Sequence, residues 1–302
     1  MNVPLADLAR RTLAERWLPL SGVAVVLRRQ MRSRRVWRDL AWAGVLLGVL
    51  LALSAVLQVT WAQVSIYSGS APRFLLRWLT MGAAGAAFLL LPCAAVLGAG
   101  AAPSSVEREA TLSALMTRLT AFDICAGRLL AGLWPLEAAL LASCALWMAA
   151  QLGWGFVPGA LHGLGPILAA HLVLLCAVFM IGAVGFLFAL RGRSGRLWGR
   201  GAAAALLLVA FCLTAIFLAE PQIRRRDDPT RLIEGALLLN PVAAVATALD
   251  LDVLRTNWLY DHTSAPEYPF TYPAPLASAG LFAAIGAAAL GGAAFRLRRS
   301  YR

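Results

Sequence analysis

Residues 103–132 read PSSVEREATLSALMTRLTAFDICAGRLLAG, a charged, amphipathic stretch set between two long apolar runs. Ser104 and Glu107 have the spacing of a capping box, which predicts a helix start. Leu112, Leu115, Met116, Leu119 and Phe122 then recur at helical spacing on one face. Glu107, Arg108, Glu109, Thr117 and Arg118 lie outside that stripe. If the flanking runs cross a bilayer, the segment must lie at one membrane surface. A helix so placed is suited to being pushed by a soluble partner, although an ordinary interfacial loop helix has the same pattern.

Composition makes the flanking runs membrane spans. The 302 residues are 60% hydrophobic and only 14% charged, whereas soluble domains carry roughly 25% charged residues. No N-terminal signal peptide is expected, because the first long apolar run starts near Leu40 behind a basic segment too long for an n-region. The net charge of +12 is carried entirely by arginine and sits beside apolar runs, where it sets topology. No stacking platform or recognition module accompanies it, so no nucleic-acid partner is expected. Cys93, Cys125, Cys144, Cys176 and Cys212 show no paired spacing and read as packing residues, with no disulfide framework or metal site.

Six runs reach the roughly 20 residues that a bilayer core requires: about 40–61, 78–101, 125–150, 165–190, 201–219 and 276–295. Small residues are dense at 83–87, 201–205 and 283–294, which lets helix backbones approach closely. Pro92 and Pro135 are expected to kink the second and third spans. With six spans, 19 of the 27 arginines fall on the side of the 102–124 segment and seven on the other, Arg128 lying just inside the third span. Both termini are therefore expected in the cytoplasm. Arg224, Arg225 and Arg226 sit on the opposite side, in a loop with eight acids. A fifth run that re-enters without crossing is the alternative.

The expected organisation is a cytoplasmic N-terminal segment (1–39), a six-span domain (40–295) with an outer loop at 220–275, and a cytoplasmic tail (296–302). Within the N-terminal segment, Val23, Leu27 and Met31 lie four apart among crowded arginines, which predicts an interfacial, elbow-like helix that meets lipid phosphates. In the outer loop, GALLLNPVAAVATAL (235–249) is apolar but too short to span, and reads as a re-entrant or surface-lying helix. Residues 258–275 are rich in aromatics and proline, which predicts a stiff irregular segment at the interface.

No GxxxxGK[ST], HExxH or GxSxG motif occurs, so neither a phosphate loop nor a familiar catalytic constellation is present. Glu137 is the one carboxylate clearly inside a span, where a charge is costly. It can pair with a polar group on another helix, line a translocation route, or sit protonated in a hydrogen bond. His171, on the next span, is a possible partner. An intramembrane enzyme built on Glu137 and His171 is the least favoured of these uses, since such chemistry needs a nucleophile, a base and an orienting group. Ser143 lies near Glu137 without a motif around it.

VEREATLSALMTRLTAFDICAGRLLAG resembles the cytoplasmic segment of permease subunits in the type-2 ABC transporter family. It has an acidic-basic-acidic triplet (Glu107, Arg108, Glu109), Thr111-Leu112, the apolar pair Leu115-Met116, and Gly127-Arg128 before the third span. The family usually has Gly before the first Thr and Pro after the second, where this chain has Ala110 and Arg118. The basic run before the first span and LLLNPVAAV before the last are also similar. The resemblance implies an all-α membrane protein of six transmembrane helices, with an N-terminal elbow helix, a cytoplasmic coupling helix between spans 2 and 3, and a partly helical outer loop between spans 5 and 6. It further implies a bacterial inner-membrane permease without enzyme activity or cofactor of its own. ATP and Mg would be bound by a partner ATPase dimer. Glu107, Arg108, Glu109, Thr111, Leu112, Leu115 and Met116 would face that ATPase, and a second permease copy or paralogue would complete the pore. A non-transporting scaffold of the same architecture is the first alternative.

Overall fold

Residues 164–190 contain no Asp, Glu, Lys or Arg and show no polar face. A helix apolar all round is stable only when other helices or lipid surround it. In the computed structural model this stretch forms the central helix. The structure describes residues 20–31, 90–103, 119–153, 164–190, 197–249 and 263–300. They form helices α1 (Leu20–Met31), α2 (Leu90–Ala101), α3 (Ala121–Gly153), α4 (Leu164–Ala189), α5 (Leu197–Ile223), α6 (Thr230–Leu239), α7 (Pro241–Ala248) and α8 (Pro275–Ser300). A 3-10 turn lies at Ala265–Glu267. Among the described residues there is no strand.

Four helices, α3, α4, α5 and α8, are long and apolar enough to cross a membrane, and α2 is a shorter apolar helix. The chain is a multi-pass, all-α membrane protein. These four correspond to the spans expected at 125–150, 165–190, 201–219 and 276–295. The expected span at 40–61 and the first part of that at 78–101 lie outside the described residues. Helix α3 continues through Pro135. Helix α5 runs past its expected end at residue 219, through Glu220 and Pro221. Arg224 Nε donates to Glu220 Oε1 at 2.6 Å and neutralises the acid at that helix end.

Helix α4 touches α3, α5, α7 and α8. Three of its neighbours approach through glycine. Gly98 of α2 lies against the backbone of Gly182, where a Cβ would collide with the Gly182 carbonyl. A Cβ on Gly185 would lie 2.9 Å from Ala95 O of α2, and one on Gly201 of α5 would lie 2.5 Å from Gly185 O. A Cβ on Gly286 of α8 would meet the Phe179 ring at 2.6 Å. Removing the side chain lets backbones meet where lipid supplies no hydrophobic drive between helices. Around these contacts Leu133 and Leu136 of α3, Met180, Ile181 and Phe186 of α4, and Phe282 of α8 are fully buried. On the outside of α5, Leu206, Leu207, Phe211 and Leu218 are exposed, as expected of a face turned to lipid.

Chain direction alternates, so the end of α2, the start of α3, the end of α4, the start of α5 and the end of α8 share one end of the bundle. Arg128, Arg200, Arg296, Arg298 and Arg299 lie at this end. Arg128 Nε donates to Ala101 O at the end of α2, and Arg296 Nη1 reaches Leu187 O in the last turn of α4 at 3.5 Å. Helix C-termini carry partial negative charge, so both cations sit where the backbone favours them. Helix α1 packs on α3 at the same end.

At the opposite end, α6 and α7 meet at 92°. The break falls on Asn240-Pro241, because proline disfavours helical backbone in the residue before it. Asn240 is extended (φ −91°, ψ 108°), and its side chain accepts from the N–H groups of Val242 and Ala243 at 2.9 and 3.2 Å, capping α7. Helix α7 is buried on every side. Val242, Ala244, Val245 and Ala248 join the main core, while Ala243 and Ala246 enter a second one with Ile216, Ile223, Ile233 and Leu237. The apolar 235–249 run is thus a helix break followed by an internal helix.

The glycine contacts make a direct prediction. Gly98→Val should destabilise the full chain by about 1–3 kcal/mol, as overpacking typically does. Gly291→Ala, where nothing lies within 4 Å of the added carbon and the residue sits inside α8, should not destabilise the chain and should raise its stability by up to about 1 kcal/mol. Thermal melting of the two variants in detergent distinguishes them.

Candidate functional site

The expected coupling residues Glu107, Arg108, Glu109, Thr111, Leu112, Leu115 and Met116 lie outside the described residues, as does the Ser104/Glu107 box. Both flanks of that connection are described. Thr120 Oγ1 donates to Asp123 Oδ2 at 2.7 Å, the Thr120 N–H donates to the same oxygen at 2.9 Å, and the Asp123 N–H donates back to Thr120 Oγ1 at 3.1 Å. This reciprocal box satisfies donors that the first turn of α3 would otherwise leave unmade. Its signature, Thr-x-x-Asp, is visible in the sequence but is not among the features singled out above.

Asp123 is buried, and α1 sits on it. A Cβ on Gly22 would lie 2.6 Å from Asp123 Cγ, and one on Gly127 would lie 2.6 Å from Val26 Cβ. Two glycines facing each other's helix, one turn apart, allow α1 to lie directly on the first turns of α3. Five residues beyond Asp123, Arg128 holds the last carbonyl of α2 at 3.1 Å.

Glu137 lies on the rim of α3, between the buried Leu133, Leu136 and Leu140 and the exposed Leu141. Among the described residues its carboxyl has no hydrogen-bond or ion-pair partner. His171 is engaged elsewhere. Its Nε2 lies 2.9 Å from Ser143 Oγ on α3, and its Nδ1 lies 2.8 Å from Ile167 O one turn back on α4. A carbonyl only accepts, so Nδ1 donates. The neutral ring then offers Nε2 as an acceptor. The Ser143 hydroxyl also lies 3.0 Å from Leu140 O, so its one hydrogen is shared between that carbonyl and the imidazole. The structure therefore joins α3 to α4 through Ser143 and His171, and Glu137 takes no part in that link. The partnership spans 28 residues of sequence, which no local spacing reveals.

A nucleophile, a base and an orienting carbonyl are the parts of an activated serine. Among the described residues, however, no N–H group is left to form an oxyanion site beside Ser143. Ser143 is buried inside a helix that continues to Gly153, so the N–H groups around it are spent within α3. What the pair does is clamp two spans together. Among the described residues no group of three or more His, Cys, Asp or Glu is placed to hold a metal ion.

The opposite end of the bundle carries a different arrangement. The irregular strap at 263–274 is held by two carboxylates. Glu220 of α5 accepts from the Ser264 N–H at 3.0 Å and the Ser264 hydroxyl at 2.8 Å. Glu234 of α6 accepts from the Thr271 hydroxyl at 2.7 Å and the Thr271 N–H at 3.1 Å. Thr230 Oγ1 donates to Pro269 O between them. The two bonds from Thr271 hold the exposed Glu234 carboxyl below the usual glutamate range.

No protein-family model, no curated protein and no solved structure matches this chain significantly. What the fold defines is a class: a multi-pass membrane protein whose spans are joined by glycine contacts and a few polar ties.

Two outcomes follow from this geometry. In a double-mutant cycle of Ser143→Ala with His171→Gln, read by thermal melting, the coupling energy should be about 0.6 kcal/mol and no more than about 1.7 kcal/mol. Zero coupling would mean that the clamp holds nothing. Because Glu234 is acidified in the folded chain, its clasp contributes fully above about pH 4.3, the ordinary glutamate value, and is lost as pH falls through the depressed one. Amide protection at 268–272, taken relative to the intrinsic exchange rate at each pH, should therefore fall below about pH 4 in the wild type. In Glu234→Gln that protection should be low at every pH and show no such step.

Proposed function

We propose that this chain is the membrane-spanning permease subunit of an ABC transporter in a bacterial inner membrane, with both termini cytoplasmic. It moves its cargo with ATP hydrolysed by a separate ATPase dimer. The observation that carries this reading is the 104–132 sequence, with its acid-base-acid triplet and apolar stripe joining two apolar helices. Helices α2 and α3 flank it, and both of its ends lie at the arginine-rich end of the bundle. On this reading Glu107, Arg108, Glu109, Thr111, Leu112, Leu115 and Met116 form the surface that meets the ATPase. Helix α1 is the elbow at the inner interface. The spans at 40–61 and 78–101 bring the total to six, and a second copy or a paralogue completes the translocation route. Without a phosphate loop the chain needs no nucleotide or cofactor of its own, and ATP and Mg belong to the partner. Glu137 is placed to line the route or to meet a group on another helix. Nucleotide-driven closure of the ATPase dimer displaces the coupling segment and re-packs the glycine crossings on α4.

A second reading, an intramembrane hydrolase, has the Ser143–His171 contact in its favour. It ranks below the first because, among the described residues, the N–H groups around Ser143 are spent within α3 and none is left for an oxyanion.

Affinity capture of the tagged full chain, extracted into nanodiscs with its native lipid, separates the readings. An ATPase containing a phosphate loop should co-purify. Reversing both acids, Glu107→Arg with Glu109→Arg, should cut its recovery about tenfold, since like charges across an interface cost more than the ~1.4 kcal/mol that tenfold represents. Capture of no ATPase, together with fluorophosphonate labelling abolished by Ser143→Ala, would establish the second reading instead.

A further inference from the structure

The connection at 102–119 is fastened at both ends to the same two turns of α3. At its start, Arg128 Nε donates to Ala101 O at 3.1 Å, on the last turn of α2. At its finish, Thr120 is locked into α3 by three reciprocal bonds with Asp123. Helix α1 rests on those same turns through Gly22 over the Asp123 carboxylate and Val26 against Gly127. Two turns further along α3, Leu133 lies against Gly182 of α4. We infer that Arg128 and Asp123 are positioning residues for energy coupling. They bind α1, the end of α2 and the start of α3 into one rigid base, so a push on the connection reaches all three helices together and passes through Leu133 to α4.

The inference rests on the permease reading, in which residues 107–116 receive the ATPase. Its physical content is the removal of slack. A loop whose ends are independently hinged absorbs a displacement in its own backbone, whereas one whose ends are tied to a single helix face transmits it. A guanidinium is well suited to the first tie. It stays protonated, it meets the negative end of α2, and its planar fork holds direction. Glycine at 22 and 127 is needed for the second, since a side chain at either position would lift α1 away from α3. Contiguous packed groups are the means by which such coupling is carried.

The test is hydrogen–deuterium exchange on the full chain with its co-purified ATPase in nanodiscs, with and without AMP-PNP. In the wild type, nucleotide should alter exchange at 20–31, 98–103 and 121–132 together. Arg128→Gln should quicken nucleotide-free exchange at 98–102 about fivefold, as loss of a charged helix cap does. It should also reduce the nucleotide response at 121–132 at least about fivefold. Arg128→Lys, which keeps a cation and a donor, should restore most of that response. Gly22→Val should abolish the response at 20–31 while leaving that at 121–132. An Arg128→Gln complex that frays at 98–102 yet responds to nucleotide like the wild type would reduce Arg128 to a structural cap and overturn the inference. If no ATPase co-purifies, the permease reading is what has failed. The rigid base then stands only if Arg128→Gln quickens exchange at both 98–102 and 20–31, and unaltered exchange at either overturns it.

Discussion

Everything in this bundle depends on how closely helices can approach α4. In lipid, apolar side chains gain little by leaving one hydrocarbon surface for another, so association relies on van der Waals contact at short range. Gly98, Gly182, Gly185, Gly201 and Gly286 supply that range by having no Cβ where backbones cross. The larger side chains, Phe186 and Phe282 among them, then fill the spaces that the glycine crossings define. The crossings set the spacing, and the apolar core follows from it.

Polar groups are used sparingly, and at chosen places. At one end, Arg128 and Arg296 lie on the C-termini of α2 and α4, where each gains a carbonyl partner and a favourable dipole. At the other, carboxylates gather hydroxyl and N–H donors from a proline-rich strap. Between them a serine–histidine contact ties α3 to α4. These groups lie where a partner is already fixed, which limits the cost of holding them near hydrocarbon; Glu137 and the buried Ser278 hydroxyl, with no partner among the described residues, are exceptions.

Several elements were legible in the sequence because their signals are local. Apolar length marked the four long spans and set the shorter 235–249 run apart from them, but the break at Asn240-Pro241 was not among the expectations. The limits of α5 were less legible, since Glu220 and Pro221 lie within a helix whose apolar run stops at residue 219. The Ser143–His171 clamp and the seat of Gly22 on Asp123 were not legible at all. Each joins residues far apart in the chain, and neither a serine nor a glycine in an apolar helix announces its partner. Glu137 shows the converse: its cost inside a span was plain from the sequence, yet His171, the partner it invited, belongs to Ser143.

The internal helix α7 has a mechanical consequence. Six of its eight residues contribute to two cores at once, one shared with α4 and α8, the other with α5 and α6. A wedge seated in both cannot leave one without disturbing the other. Parting α4 from α5 at this end therefore requires the wedge to withdraw as a unit, swinging about Asn240, the only joint between it and the helix before it. The space such a swing would leave is walled by the apolar side chains that the wedge now covers, Ile216, Ile223, Ile233 and Leu237 among them.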